Sequence, residues 1–121
     1  VYAENDLLDI AVTDHGDQTL VTLRGELDLA TQGTFRTQVI DLLVSGSNRL
    51  VIDLSELDFL DSTGLGALIG IRRRAHALQG SMTLVCPTHA VMELFSIAGL
   101  EKVFDIRPSL DVALDSGVPQ A

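Results

Sequence analysis

Leu50-Val51-Ile52-Asp53-Leu54 constrains this chain more than any other segment, because so short an apolar run offers no polar face to water. A strand with one wet face alternates apolar and polar residues, whereas a strand covered on both sides of a parallel sheet reads as a continuous apolar run. The run is therefore expected to be the central strand of a sheet. Ser45-Gly46-Ser47-Asn48 stops a helix just before it, and a second helical pattern spans Ser62 to Leu78 after it.

The rest of the chain fits around that strand. Leu7 to Asp14 alternates loosely, His15-Gly16-Asp17 signals a turn, and Leu20, Val21 and Leu23 carry a second strand, so a β-hairpin opens the chain. Gly25-Glu26-Leu27-Asp28 is read as leaving that strand. Phe35, Val39, Leu42 and Leu43 then recur on one face of a helix from about Thr31 to Val44. Ser55 to Asp61 is read as the connection to the second helix, which stops at Gly80. Met82 to Cys86 is the next strand. Pro87-Thr88 opens a third helix with Val91, Leu94, Phe95 and Ala98 on its apolar face and Gly99 at its end. Val103 to Ile106 is a last strand, Pro108-Ser109-Leu110 starts a closing helix through Leu114, and Ser116 to Ala121 has the composition of a frayed tail. The order β-β-α-β-α-β-α-β-α predicts an α/β fold with a mixed, mostly parallel sheet and packed helices. One domain over 1–121 is expected, with its core at about 7–114 and a flexible tail at 115–121.

Charge and chemistry exclude several functions. The formal net charge of −9 opposes binding to a polyanion, so neither nucleic acid nor an anionic membrane is an expected partner. Helical spacing spreads Arg72, Arg73 and Arg74 around their helix instead of gathering them into a patch. The apolar stretch Leu65 to Ile71 is far short of the roughly 20 residues that a membrane span needs. Cys86 is the single cysteine, which rules out an intramolecular disulfide and a Cys-rich metal site and suits a reducing compartment. No signal peptide is read in the sequence, and a cytoplasmic location is expected.

His15, His76 and His89 are scattered over a turn, a helix and a helix start, in no metal-ligand spacing. No nucleophile elbow and no phosphate-binding loop occur, and Gly64 and Gly66 are not completed to a dinucleotide fingerprint. No catalytic residue, metal or cofactor is expected. Asp53 in the third strand raises the possibility of a two-component receiver domain. The opening hairpin lacks the acidic pair that chemistry needs, and the only lysine is Lys102.

The segment Leu57 to Gly66 stands out because it joins the central strand to the second helix, where sites sit in open α/β sheets. Ser62 is expected to cap that helix. Gly64 and Gly66 keep its first turn free of bulk, so that backbone N–H groups stay open to an oxyanion. Along the helix, Gly64, Leu68, Ile71, Ala75 and Leu78 fall on one face and read as core. Leu65 and Ile69 lie toward its edge beside Arg72, and these three either extend a partner surface from Ser62 or, for the apolar pair, widen the core stripe.

Asp61-Ser62-Thr63-Gly64-Leu65-Gly66, preceded by Val51-Ile52-Asp53-Leu54 and Phe59-Leu60, resembles the phosphorylation-site signature of STAS-domain anti-sigma factor antagonists. Gly25-Glu26-Leu27-Asp28 and the stretch from Phe95 through Gly99-Leu100 to Val103-Phe104 resemble two further elements of that family, so the likeness runs from about Leu7 to Leu114. It implies that Ser62 accepts phosphate from an anti-sigma factor that is also a serine kinase, with Thr63 as the alternative acceptor. It also implies that a PP2C-type phosphatase removes the phosphate, and that Asp28 and Asp61 shape the site. The unmodified protein is then expected to free a sigma factor, and the phosphorylated one is not. Two other roles compete: an accessory subunit of a membrane lipid transporter, and a small enzyme with Ser62 as nucleophile, for which no base is evident.

Overall fold

The apolar run lies in a twelve-residue strand whose members alternate between two cores. Leu50, Ile52 and Leu54 enter the main core, while Val51 joins Leu20 and Val85 in a smaller one on the opposite face. Asp53 is buried too, and its Oδ1 accepts the Ser55 N–H at 2.9 Å. The structure, a computed structural model, describes residues 7–85 and 87–114. The expected tail and Cys86 lie outside the described residues.

The elements are β1 (Leu8–His15), β2 (Gln18–Leu27), α1 (Gln32–Val44), β3 (Arg49–Leu60), α2 (Ser62–Ala77), β4 (Ser81–Val85), α3 (His89–Ile97), β5 (Asp105–Arg107) and α4 (Leu110–Leu114). The sheet order is β1-β2-β3-β4-β5, with β1 antiparallel to β2 and the other pairs parallel. This is the single α/β domain with a mostly parallel sheet that the sequence predicts. Strand–helix–strand crossovers share one hand, so adding each new strand on the same side puts the connecting helices on the same face. Phe35, Val39 and Leu43 of α1, Leu68 and Ile71 of α2, and Val91 and Phe95 of α3 accordingly share the main core. Leu110, Ala113 and Leu114 of α4 cover the other face.

Two boundaries differ from the sequence reading. β2 does not end at Gly25 but runs to Leu27, and β3 runs past Ser55 to Leu60, paired throughout through Gly25↔Leu57 and Leu27↔Leu60. At both register shifts, Thr22/Arg24 and Gly25/Glu26, β3 carries one residue more than β2, which breaks the two-residue period of β3, while the glycine at position 25 makes β2 look finished. At the second shift the extra residue is Asp58 of β3, and Gly25 lies opposite that irregularity with φ +112°, a conformation that favours glycine. Smaller corrections fall at element ends. Leu78 caps α2 and is 48% exposed, Ala98 is exposed, and Val103 and Phe104 precede β5, where the Phe104 ring packs on Phe95 at 5.4 Å between centroids.

Candidate functional site

One residue separates β3 from α2. Asp61 is extended, with φ −109° and ψ −176°, and its Oδ1 accepts the Gly64 N–H at 2.9 Å. Asp61 is therefore the helix cap, which corrects the expectation that Ser62 caps α2. A cap must keep non-helical backbone while its side chain reaches the third helical residue, and Ser62 already lies inside the helix. Its side chain is thereby left over: Ser62 is exposed at the first helical position, and among the described residues no partner holds its hydroxyl. Thr63, the alternative acceptor, is half-buried. The N–H groups of Ser62 and Thr63 remain available at the positive end of the helix dipole, but that of Gly64 is taken by Asp61.

Asp61 also ties α2 to the turn before α1. Its Oδ2 accepts the Leu29 N–H at 3.3 Å, and its own N–H donates to the Leu27 carbonyl at 3.4 Å. Asp28 works inside that turn. Its Oδ1 accepts the N–H groups of Ala30 at 3.0 Å and Thr31 at 3.2 Å, while the buried Thr31 hydroxyl donates to the Glu26 carbonyl at 2.8 Å and accepts the Asp28 N–H at 3.0 Å. The two aspartates thus act in sequence: Asp28 folds the turn and Asp61 clips it beside Ser62. Leu29, held by this clip through its N–H, is 73% exposed. The sequence reading passed over both Thr31 and Leu29. Thr31 was legible as a polar residue three after Asp28 at a helix start, and Leu29 as a lone apolar residue in a polar turn.

The two glycines of the motif have different reasons to be there. A Cβ on Gly64 would collide with the Leu27 carbonyl and lie 2.8 Å from Leu60 Cδ1, so Gly64 lets the helix start lie directly on the end of β2. A Cβ on Gly66 would meet nothing within 4 Å. The proposed partner residues also part company. Leu65 is 6% exposed and belongs to the main core, so the core stripe of α2 is wider than the surface reading assumed. Ile69 packs half-buried against that core, and Arg72 is half-buried a turn further on. Among the described residues no group of three His, Cys, Asp or Glu side chains could hold a metal ion, and no helix is long and apolar enough to cross a membrane.

The STAS domain family model matches residues 9–113. The anti-sigma-B factor antagonist of Bacillus subtilis is 28% identical over 99 residues, covering 82% of this chain and 90% of that one. Its counterpart in Listeria monocytogenes is 30% identical over 95 residues, 78% of this chain and 81% of the other. The crystal structure of an anti-sigma factor antagonist from Mycobacterium paratuberculosis superposes with a TM-score of 0.82 at 30% identity, over 95% of this chain and 97% of that one. The chain belongs to the STAS domain family of anti-sigma factor antagonists.

Proposed function

We propose that this protein is the switched component of a partner exchange. Unmodified, it binds an anti-sigma factor that is also a serine kinase, and so frees the sigma factor. Phosphorylation of Ser62 ends the binding, and a PP2C-type phosphatase restores it. The observation that carries this reading is the exposed, unheld hydroxyl of Ser62 at the first position of a helix that Asp61 already caps. Such a hydroxyl can enter a kinase site without giving up a structural bond. The chain is then a substrate of the exchange and performs no chemistry itself.

The energetics favour a change of surface over a change of fold. A phosphate adds about −1.5 to −2 charge, and the helix N-terminus tolerates it with a gain of about 0.3 to 1 kcal/mol. At the contact, the new charge joins Asp58 and Asp61, and desolvation with like-charge repulsion can cost several kcal/mol. Moving a complex from nearly all bound to nearly all free takes about 5.5 kcal/mol, within reach of one phosphate in a dry contact. Ile69 and Arg72 continue the partner surface along α2, with Leu65 supporting it from beneath.

Incubation with an anti-sigma factor kinase and ATP, followed by mass spectrometry, should place the phosphate on Ser62 and leave Ser62→Ala unlabelled. Ser62→Ala should still bind the kinase, and Ser62→Glu should bind more weakly, with both sharing the wild-type circular dichroism spectrum. Undiminished labelling of Ser62→Ala on Thr63 would identify Thr63 as the acceptor. Equal affinities for the unmodified and the phosphorylated protein would end the switch model.

A further inference from the structure

Past Asp53, β3 has lost its neighbour on one side. β4 ends at Val85, opposite Asp53, and α3 stands beside the remaining length of β3 instead of a strand. Between them lies an open groove of about 270 Å³. Its walls carry Phe59, 49% exposed, from the strand and Leu94 and Ile97 from the helix, with Ile97 82% exposed. A solvated isoleucine facing a half-exposed phenylalanine across a groove forms a contiguous apolar patch, and such patches on small proteins mark contact surfaces. Asp58 on the strand wall and Glu93 on the helix wall give each side a carboxylate, and no groove-lining residue is basic. The groove also adjoins the acceptor, since Leu60 lines it and only Asp61 separates Leu60 from Ser62.

We propose that this groove is a second contact for the protein that covers Ser62, and that it takes an apolar side chain flanked by Lys or Arg. The inference rests on the partner-switching reading above, because it assigns the groove to the same partner. The apolar anchor accounts for the exposure of Phe59 and Ile97, and the flanking cations meet Asp58 and Glu93. Wrong partners lacking the cations leave Asp58 and Glu93 at the rim without a partner cation, Glu93 having only the exposed His89 ring nitrogen at 3.7 Å, which gives selectivity as well as steering. Because the groove begins beside Ser62, its occupant lies close to any phosphate there. The phosphate then acts on a contact larger than its own footprint.

The test titrates the ¹⁵N-labelled full chain with each purified anti-sigma factor serine kinase of its own genome, and repeats the titration by calorimetry with two variants. Ile97→Asp should lower affinity at least tenfold with unchanged circular dichroism and thermal midpoint, since Ile97 is exposed. The double charge reversal Asp58→Lys with Glu93→Lys should also lower affinity and flatten its dependence on salt. The amide resonances of Phe59, Glu93, Leu94 and Ile97 should shift together with that of Ser62. Wild-type affinity in Ile97→Asp, or shifts confined to Ser62 and the turn around Leu29, would overturn the groove while leaving the Ser62 switch standing. Loss of affinity in Ile97→Asp alongside binding that phosphorylation does not change would support the groove and overturn the switch. No binding of the wild type to any of these kinases would overturn both, as would a groove-dependent dimer of the chain in place of a complex.

Discussion

The inward and outward faces of the first turn of α2 draw on the same short stretch, Asp61 to Gly66, yet follow opposite rules. Inward, Gly64 lies against the Leu27 carbonyl and Leu65 enters the main core, so neither position has room for change. Outward, Ser62 and Gly66 are exposed, and a Cβ on Gly66 would meet nothing within 4 Å. Asp61 serves both, fastening the inward face through Gly64 and the neighbouring turn through Leu29 while standing next to Ser62. The contrast leaves the exposed position free to change without loosening the fold. The groups that fix the helix start are separate from the Ser62 hydroxyl proposed as the acceptor.

Substitutions in this turn can break the contrast. Gly64→Val should have the largest effect, because its side chain has to displace backbone and not a flexible side chain. A loss of about 3 kcal/mol or more is expected, read as a large drop in the urea midpoint. A mild loss would mean that the helix start can slide away from β2 and that the two faces are not held apart. Leu65→Ala should cost about 2 to 3 kcal/mol through the cavity it leaves, with kinase affinity following only the folded fraction. Normal stability combined with weak binding would return Leu65 to the partner surface.

Asp61→Ala should cost about 1 to 2 kcal/mol for the lost cap, and the Leu29 amide should exchange its hydrogen faster once released. Asp61→Asn, which keeps an accepting oxygen, should recover most of the stability. Failure of Asn to do so would assign the effect to charge at the helix terminus and not to the cap. Gly66→Ala should have the smallest effect and the opposite sign, a gain of up to about 1 kcal/mol from helix propensity. Kinase binding by this variant sharpens the comparison. Weaker binding despite the added stability would show that the outward face is covered by the partner, and unchanged binding would place the contact elsewhere.

How much of this was legible follows from what each feature depends on. The strand at Leu50 to Leu54 was legible because continuous burial shows in five adjacent residues. The apolar spacing of α1 and the turn signal at Gly16 are equally local. Gly25 misled because glycine ends strands and also occurs inside them where the ladder is irregular, and only the pairing with Leu57 distinguishes the two. Ser62 looked like the cap because Ser and Asp are about equally good caps, so composition could not rank two adjacent candidates.

By itself the sequence determined the order of elements, the mostly parallel sheet with its antiparallel hairpin, and the segment where a site should lie. Those follow from side-chain periodicity and turn chemistry over a few residues, which any folded context must respect. The tertiary structure decided that Asp61 and not Ser62 caps α2, that Leu65 is core, that Asp28 works through the turn Asp61 clips, and that Phe59 and Ile97 face each other across a groove. The cap bond is itself local, but where α2 begins is set by the contact of Gly64 with Leu27, and the other features likewise join residues far apart in the chain, Leu29 with Asp61 and Phe59 with Ile97. Such juxtapositions exist only once the strands have paired and the helices have packed against them.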